Sequence, residues 1–264
     1  MSQPDPKADR WQTTYFGPHY LALYAQRLLR PMETGWEASF VPLALQLPAG
    51  SSILDCPCGF GRHLHRMRLA GYRVCGVDLQ PLFLDYARQS TRSAQWEAVP
   101  LATADMAQLP FYESSFDALC NLFNSFGYFT DDEQSGEPTN RAVLREFARV
   151  LKPGGRILID VASREDLLEC IEDMPRTHCA GPDWEIIERW EYDEAARRLF
   201  NQTRFVFQGN AHDCAYNIRL YSRDELEDDL RAAGLIPFGF WSELHRNADE
   251  TSGDRLVIAA RKEG

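Results

Sequence analysis

The sequence has no apolar run approaching the ~20 residues that a membrane-spanning helix needs, and its opening MSQPDPKADRW lacks the charged, apolar and small-residue sections of a secretory leader. Both absences point to a cytoplasmic protein with no membrane partner. Basic excess is missing too: 28 Lys and Arg stand against 39 Asp and Glu, a formal net charge of −11. Proteins that track phosphate backbones usually carry a basic face, so nucleic acid is not an expected partner. A local basic cluster at Arg62, His63, His65, Arg66, Arg68 and Arg73 reads as the solvated face of a helix. The seven cysteines are an odd number and include no Cys-x-x-Cys pair. Cys56-Pro57-Cys58 therefore reads as a turn, and no metal is expected. No internal repeat or long low-complexity tract occurs. With 44% hydrophobic and 25% charged residues the composition is that of an ordinary globular chain.

What is present is an alternation. After a polar tail over residues 1–10, the stretch from Trp11 to about Leu47 reads as helical segments rich in aromatics: Trp11, Tyr15, Phe16, Tyr20, Tyr24 and Trp36. Pro48-Ala49-Gly50 leads into a strand at Ser52-Ile53-Leu54, and a second strand is expected at Tyr72 to Val77. Pro81 suits the first turn of a helix running to about Thr91. A third strand falls within Ala94 to Ala104 and a fourth at Ser115 to Phe123. A polar loop, TDDEQSGEPTN, precedes a helix carrying Val143, Leu144, Phe147, Val150 and Leu151. Lys152-Pro153-Gly154-Gly155 reads as its stop, and Arg156 to Val161 as a fifth strand. Strands alternating with helices predict a mostly parallel sheet covered on both faces. From Trp184 to Tyr221 the rhythm becomes strand after strand, which predicts an antiparallel insertion. Ser222-Arg223-Asp224-Glu225 spells a capping box ahead of a last helix closed by Gly234, and strands near Leu235 to Trp241 and Arg255 to Ala260 finish the chain.

The stretch richest in chemical information is Ser51 to Asp78, in which strand, glycine turn, helix and strand follow one another. Gly59 and Gly61 let a ligand approach the backbone at the end of the first strand, and Asp78 ends the second, where an acid can accept hydrogen bonds from ribose hydroxyls. A nicotinamide enzyme would place a third glycine three residues after Gly61, where this chain has Leu64. A glycine pattern alone decides neither way.

The neighbouring residues carry a resemblance. ILDCPCGFGRH, GVDLQPLFLDYAR, ATADMAQLPF, FDALCNLFNSFGYF and LREFARVLKPGGRILID, in this order and spacing, resemble the motifs of class I S-adenosylmethionine-dependent methyltransferases over Ser51 to Val161, and the chain resembles them again from Ser222 onward. The resemblance implies an α/β fold with a doubly wound, mostly parallel seven-stranded Rossmann-like sheet, an N-terminal helical cover over residues 1–50, a cofactor-binding core over 51–161, an antiparallel β insertion over 162–221 and completion of the core over 222–264. It implies S-adenosyl-L-methionine as cofactor, with S-adenosyl-L-homocysteine as product. It places Asp55, Cys58, Gly59 and Gly61 in the glycine turn, with Asp55 ordering the turn more than touching the ligand. Asp78 and Leu79 fall at the ribose, Asp105 and Met106 at the adenine, and Asn121 and Leu122 on the methionine side. NLFNSFGYF and the insertion are similar to the small-molecule branch that includes sugar N,N-dimethyltransferases, in which aromatics of the N-terminal helix close over the cofactor. Tyr15 and Tyr24 are the candidates for its carboxylate. Asn121-Leu122-Phe123-Asn124 departs from the Asn-Pro-Pro-Tyr motif of adenine N-methyltransferases.

Methyl transfer is an in-line displacement, so the protein mainly holds the acceptor in line, helped where necessary by a general base. No base is identified by the pattern. His19 and His212, the latter placed in a turn of the insertion, are candidates, although surface or packing roles suit both. Phe123, Phe126, Tyr128 and Phe129 suit equally a substrate wall or core packing. The expected activity is transfer to N or O of a small-molecule acceptor, with the insertion shaping the pocket or pairing with its copy in a homodimer. An NAD(P)-dependent oxidoreductase and a non-catalytic binding module are the competing expectations.

Overall fold

The computed structural model describes residues 14–28, 31–95, 97–173, 176–244 and 255–264. The polar tail and Trp11 lie outside the described residues. In chain order the elements are α1 (Pro18–Leu28), α2 (Pro31–Ala44), β1 (Ser52–Asp55), α3 (Leu64–Leu69), β2 (Arg73–Asp78), α4 (Pro81–Ser93), β3 (Leu101–Thr103), β4 (Phe116–Asn121), α5 (Asn140–Val150), β5 (Leu151–Ala162), α6 (Arg164–Asp173), β6 (Arg176–Ala180), β7 (Trp184–Asp193), β8 (Arg198–Phe207), β9 (Asn210–Arg219), α7 (Arg223–Ala232), β10 (Leu235–Trp241) and β11 (Arg255–Lys262).

Seven strands form one sheet in the order β10-β11-β5-β4-β1-β2-β3. β3, β2, β1, β4 and β5 are parallel, and β11 lies antiparallel between β5 and the edge strand β10. Side chains alternate between faces along each strand, and the core divides accordingly. Leu54, Leu119, Ile157 and Ile159 pack with Val143, Leu144 and Phe147 of α5 and Leu226 and Leu230 of α7. Their neighbours Ile53, Ala118, Cys120 and Leu158 pack with Val41 and Leu45 at α2, Leu64 and Met67 of α3, and Leu84 of α4. This is the doubly wound arrangement, and the capping box is formed: Glu225 N–H donates to Ser222 Oγ at 3.3 Å and Ser222 N–H to Glu225 Oε2 at 3.2 Å.

The chain leaves β1 toward β2 and β3, then crosses back to β4 on the other side of β1. This reversal opens a crevice beyond the carboxyl ends of the strands.

Three expectations need correction. Lys152 to Gly155 is not a stop between helix and strand. It belongs to β5, where the register steps from Phe116↔Leu151 to Ala118↔Arg156, so the extra residues bulge out of a continuing strand. α3 spans Leu64–Leu69, shorter than the stretch between Gly61 and Gly71 suggested. The inserted sheet has four strands, β6-β7-β8-β9, the first of which precedes Trp184, where the sequence pattern of strands begins. β6 escapes notice because RTHCA is a mostly exposed edge strand with little apolar signal.

The inserted sheet turns one face, with Ile186, Leu199, Phe205, Tyr216 and Ile218, toward Leu23 of α1, Tyr15 and the apolar side of α6. α1 also meets the core, where Ala25 packs with Phe60 of the glycine turn and Phe83 of α4. One helix therefore touches both the glycine turn and the insertion.

Candidate active site

A cavity of about 270 Å³ occupies the crevice. Its floor is the glycine turn. Cys58 N–H donates to Val77 O at 2.7 Å, tying the turn to β2, and Gly59 takes a φ of +53°, open to glycine and strained for other residues. Nothing lies within 4 Å of the point that a Cβ on Gly59 would occupy, so the backbone faces open space. Leu64, at the position where a dinucleotide fold has its third glycine, is fully buried against β2. A Cβ on Gly76 would come within 2.7 Å of its Cδ1. The close helix-to-strand contact is kept by exchanging which partner is small.

Asp78 ends β2 and faces the cavity. Its Oδ2 accepts from Gly59 N–H and its Oδ1 from Gln80 N–H, each at 2.8 Å. Burial pushes its carboxyl up to about 6, opposed by the N–H donors of Gln80, Gly59 and Leu79. Asp105 Oδ1 accepts from Ala107 N–H at 2.8 Å, closing a turn after β3 that presents Asp105 and Met106 to the cavity. Tyr15, Tyr24, Cys58, Gly59, Leu79 and Leu122 also line it.

Asp55, Gly61 and Asn121 do not line the cavity. Asp55, fully buried, accepts a weak bond from Cys120 Sγ at 3.6 Å, and burial pushes its carboxyl up to about 7. Asn121 was expected on the methionine side. Its side chain instead turns inward, donating from Nδ2 to Cys56 O at 2.9 Å, so it braces the glycine turn from behind. Gly61 has a φ of +79°, and a Cβ there would stand 3.0 Å from Ala87 Cβ, so its smallness serves the contact with α4.

His19 and His212 lie outside the cavity lining and stack on each other, ring centroids 4.4 Å apart and 17° between planes. His212 sits in β9 and not in a turn. Burial, then the neighbouring His212, lowers the pKa of His19. Of the four aromatics after β4, Phe123, Tyr128 and Phe129 line the cavity, whereas Phe126 is fully buried against Tyr221 at 5.4 Å.

The segment following β4 is strained. Phe123 and Asn124 both have left-handed backbones, φ +63° and +55°. Asp160, completely buried at the end of β5, holds them: its Oδ2 accepts from Phe123 N–H at 2.8 Å and its carbonyl from Asn124 N–H at 3.0 Å. Arg255 forks the same carboxylate, with Nη2 2.6 Å from Oδ2.

Several lining residues carry no local signature. Tyr20 stacks on Tyr24 one helical turn away, centroids 4.2 Å apart, and the tyrosine spacing on the helix could have marked it. Tyr216 comes from the insertion. Arg62 and His63 are buried in the cavity wall and do not form a solvated face: both hold Glu37 of α2, His63 Nε2 at 2.9 Å. His65 is buried as well, 2.7 Å from Thr91 Oγ1. Burial, then Arg62, lowers the pKa of His63. Glu37 would be raised by burial, but the hydrogen bonds and charges of His63 and Arg62 outweigh it and hold the carboxyl low. Burial also pushes up the phenols of Tyr15, Tyr20, Tyr128 and Tyr216, so the aromatic wall is neutral. Electron-rich rings with Asp78 and Asp105 make a cavity suited to a ligand bearing positive charge.

Comparison with known proteins agrees with this architecture. Residues 53–155 match the family model described as a methyltransferase domain. The putative methyltransferase YqeM of Bacillus subtilis is 27% identical over 225 residues, 82% of this chain and 86% of that protein. A demethylmenaquinone methyltransferase of Thermus thermophilus is 35% identical over 126 residues, 47% of this chain and 52% of its own length. Among solved structures, the CcbJ methyltransferase of Streptomyces caelestis superposes with a TM-score of 0.77 at 18% identity, covering 95% of this chain and 99% of that one. The sugar N-methyltransferase KedS8 of a Streptoalloteichus species gives 0.67 at 19% identity, with 100% and 98% covered. At these identities the superpositions bear on fold alone. Among the described residues no helix is long and apolar enough to cross a membrane. With its strand order, its glycine turn and the matched residues, the chain has the Rossmann-like methyltransferase fold and carries a methyltransferase domain over residues 53–155.

Proposed function

We propose that the protein transfers a methyl group from S-adenosyl-L-methionine to a nitrogen or oxygen of a small molecule. The observation that carries this reading is Asp78, a buried carboxylate that ends β2, is tied to the open backbone of Gly59 and faces the cavity. Asp78 would take the ribose hydroxyls, and Asp105 with Met106 the adenine edge and face. When bound, the cofactor supplies an activated methyl on a sulfonium. The protein's own contribution is to orient the acceptor and exclude water, which Phe123, Tyr128, Phe129 and Tyr216 support as a wall closed over the glycine turn by α1. The presence of Tyr216 in that wall supports a pocket-shaping role for the insertion.

The names of the relatives support a small acceptor: a sugar N-methyltransferase and demethylmenaquinone methyltransferases are among them. Another relative, 31% identical over half the chain, is named an S-adenosyl-L-methionine-dependent Diels-Alderase. Cofactor binding and transfer are therefore tested separately. Calorimetric titration with S-adenosyl-L-methionine, S-adenosyl-L-homocysteine and NADH should give micromolar binding of the first two and none of the third. Mass spectrometry across a panel of amines, phenols and alcohols then reads the 14-dalton increment of a methyl group. Saturable NADH binding without S-adenosyl-L-homocysteine binding would replace this reading with that of an oxidoreductase.

A further inference from the structure

Two histidines meet at the seam between the helix that covers the cavity and the inserted sheet. His19 lies in the first turn of α1 and His212 in β9, both half-buried, with their rings stacked 4.4 Å apart at 17° between planes. His212 stands opposite Phe205 in the ladder of β8 and β9, and Phe205 packs on the face that meets α1. Leu23, one helical turn after His19, is buried against that face. The stack therefore flanks a joint whose buried part is made by Tyr15, Phe205 and Tyr216.

Two neutral imidazoles stack without penalty, whereas two imidazolium rings at this distance repel. Among the described residues little opposite charge faces the pair. The first turn of α1 has no acidic residue, and the helix N-terminus adds its own positive end. On β9, Asp213 feels His212, but Arg204 of β8 forks its carboxylate at 2.6 and 2.7 Å. On β7, Glu188 acts on Tyr15 and Tyr20, whereas the charge that acts on His19 is that of His212. Burial and then His212 lower the pKa of His19.

We propose that the stack of His19 on His212 is a pH-sensitive latch that holds α1 against the inserted sheet and so sets how readily the cavity opens. The latch stands on the joint itself, and only its effect on cofactor exchange rests on the methyltransferase reading. Because docking opposes protonation of His19, its contribution is complete above the ordinary value of 6.5 and fades as pH falls below it. The buried contacts of Tyr15 and Leu23 persist, so α1 stays mostly docked. Acidification thus speeds opening more than it changes equilibrium affinity.

The experiment follows amide hydrogen exchange of α1 in the unliganded protein at pH 5.5 and pH 7.5, corrected for the intrinsic effect of pH on exchange and referenced to β4 in the core. His19→Phe and His212→Phe each keep two rings at the joint while removing one of the two charges. At the lower pH, α1 of the unmodified protein should lose protection relative to β4 by about threefold or more, the scale of one like-charge contact at a partly exposed site. Either variant should abolish that difference. A loss no larger than that of β4 overturns the proposal, as does a loss that either variant retains. Release of bound S-adenosyl-L-homocysteine, followed by rapid mixing with excess 5′-methylthioadenosine, should be slower from either variant than from the unmodified protein at pH 5.5 and equal at pH 7.5. Equal release at pH 5.5 would overturn the latch's hold on the cavity. Failure of S-adenosyl-L-homocysteine to bind the unmodified protein would sink the cofactor reading alone, and hydrogen exchange still decides the latch.

Discussion

Asp78 and Asp55 stand at the ends of neighbouring strands and are both harder to ionise in the folded chain than outside it, the first pushed up to about 6 and the second to about 7 by burial. Above the ordinary value of 3.8 the folded state therefore holds protons that the unfolded chain releases, and stability falls as pH rises from there through about 7. Asp55→Asn should flatten that fall. Urea unfolding at pH 5 and pH 8 measures it, with the unmodified protein losing on the order of a few kcal/mol between the two and the variant clearly less. The consequence for ligand binding has the opposite sign. Ribose hydroxyls donate to an ionised carboxylate, so cofactor affinity should rise as pH passes upward through about 6. Asp78→Ala should weaken S-adenosyl-L-homocysteine by on the order of 1 to 3 kcal/mol and remove the pH dependence, both read by calorimetry. The placement of Asp78 was legible because strand, glycine turn and strand are local patterns. Arg62 and His63 were misread as solvated because what buries them, Glu37 on α2, lies far upstream and leaves no mark in the local spacing.

Among the elements, the segment after β4 depends most on support from elsewhere. Two successive left-handed residues cost about 1 to 3 kcal/mol each, and the buried carboxylate of Asp160, itself forked by Arg255, offsets this by holding the Phe123 N–H. Asp160→Ala should destabilise the protein by about 3 kcal/mol, because it leaves the Phe123 amide without its acceptor and breaks the ion pair to Arg255. Denaturant titration measures the loss, and thermal melts with S-adenosyl-L-homocysteine show whether the rest of the cleft survives. The aromatic run after β4 could not be sorted in advance for the same reason. Phe123, Tyr128 and Phe129 face the cavity and Phe126 the core only because the left-handed pair resets the direction of the chain. β5 shows a similar limit. Lys-Pro-Gly-Gly favours a turn locally, yet pairing with β4 on both sides, at Leu151 and at Arg156, carries the strand past it as a bulge.

At the scale of the molecule, the parallel sheet and its two covering layers were legible from periodicity, while the joining of core to insertion was not, since it consists of contacts between distant segments. Tyr15 meets Tyr216 at 4.5 Å and Phe205 at 5.8 Å, and α1 carries this contact to Phe60 and Phe83 beside the glycine turn. Affinity for the cofactor should therefore depend on how firmly α1 is docked. Phe205→Ala changes a residue outside the cavity lining and should still weaken S-adenosyl-L-homocysteine several-fold by lowering the docked population, with 5′-methylthioadenosine as a second calorimetric probe. The same contact has a consequence for synthesis. Tyr15 leaves the ribosome about 200 residues before Tyr216, which at 5 to 20 residues per second is a wait of roughly 10 to 40 s. Throughout that interval the aromatic face of α1 lacks its partners from the inserted sheet, and a helix made early is among the last to find its place.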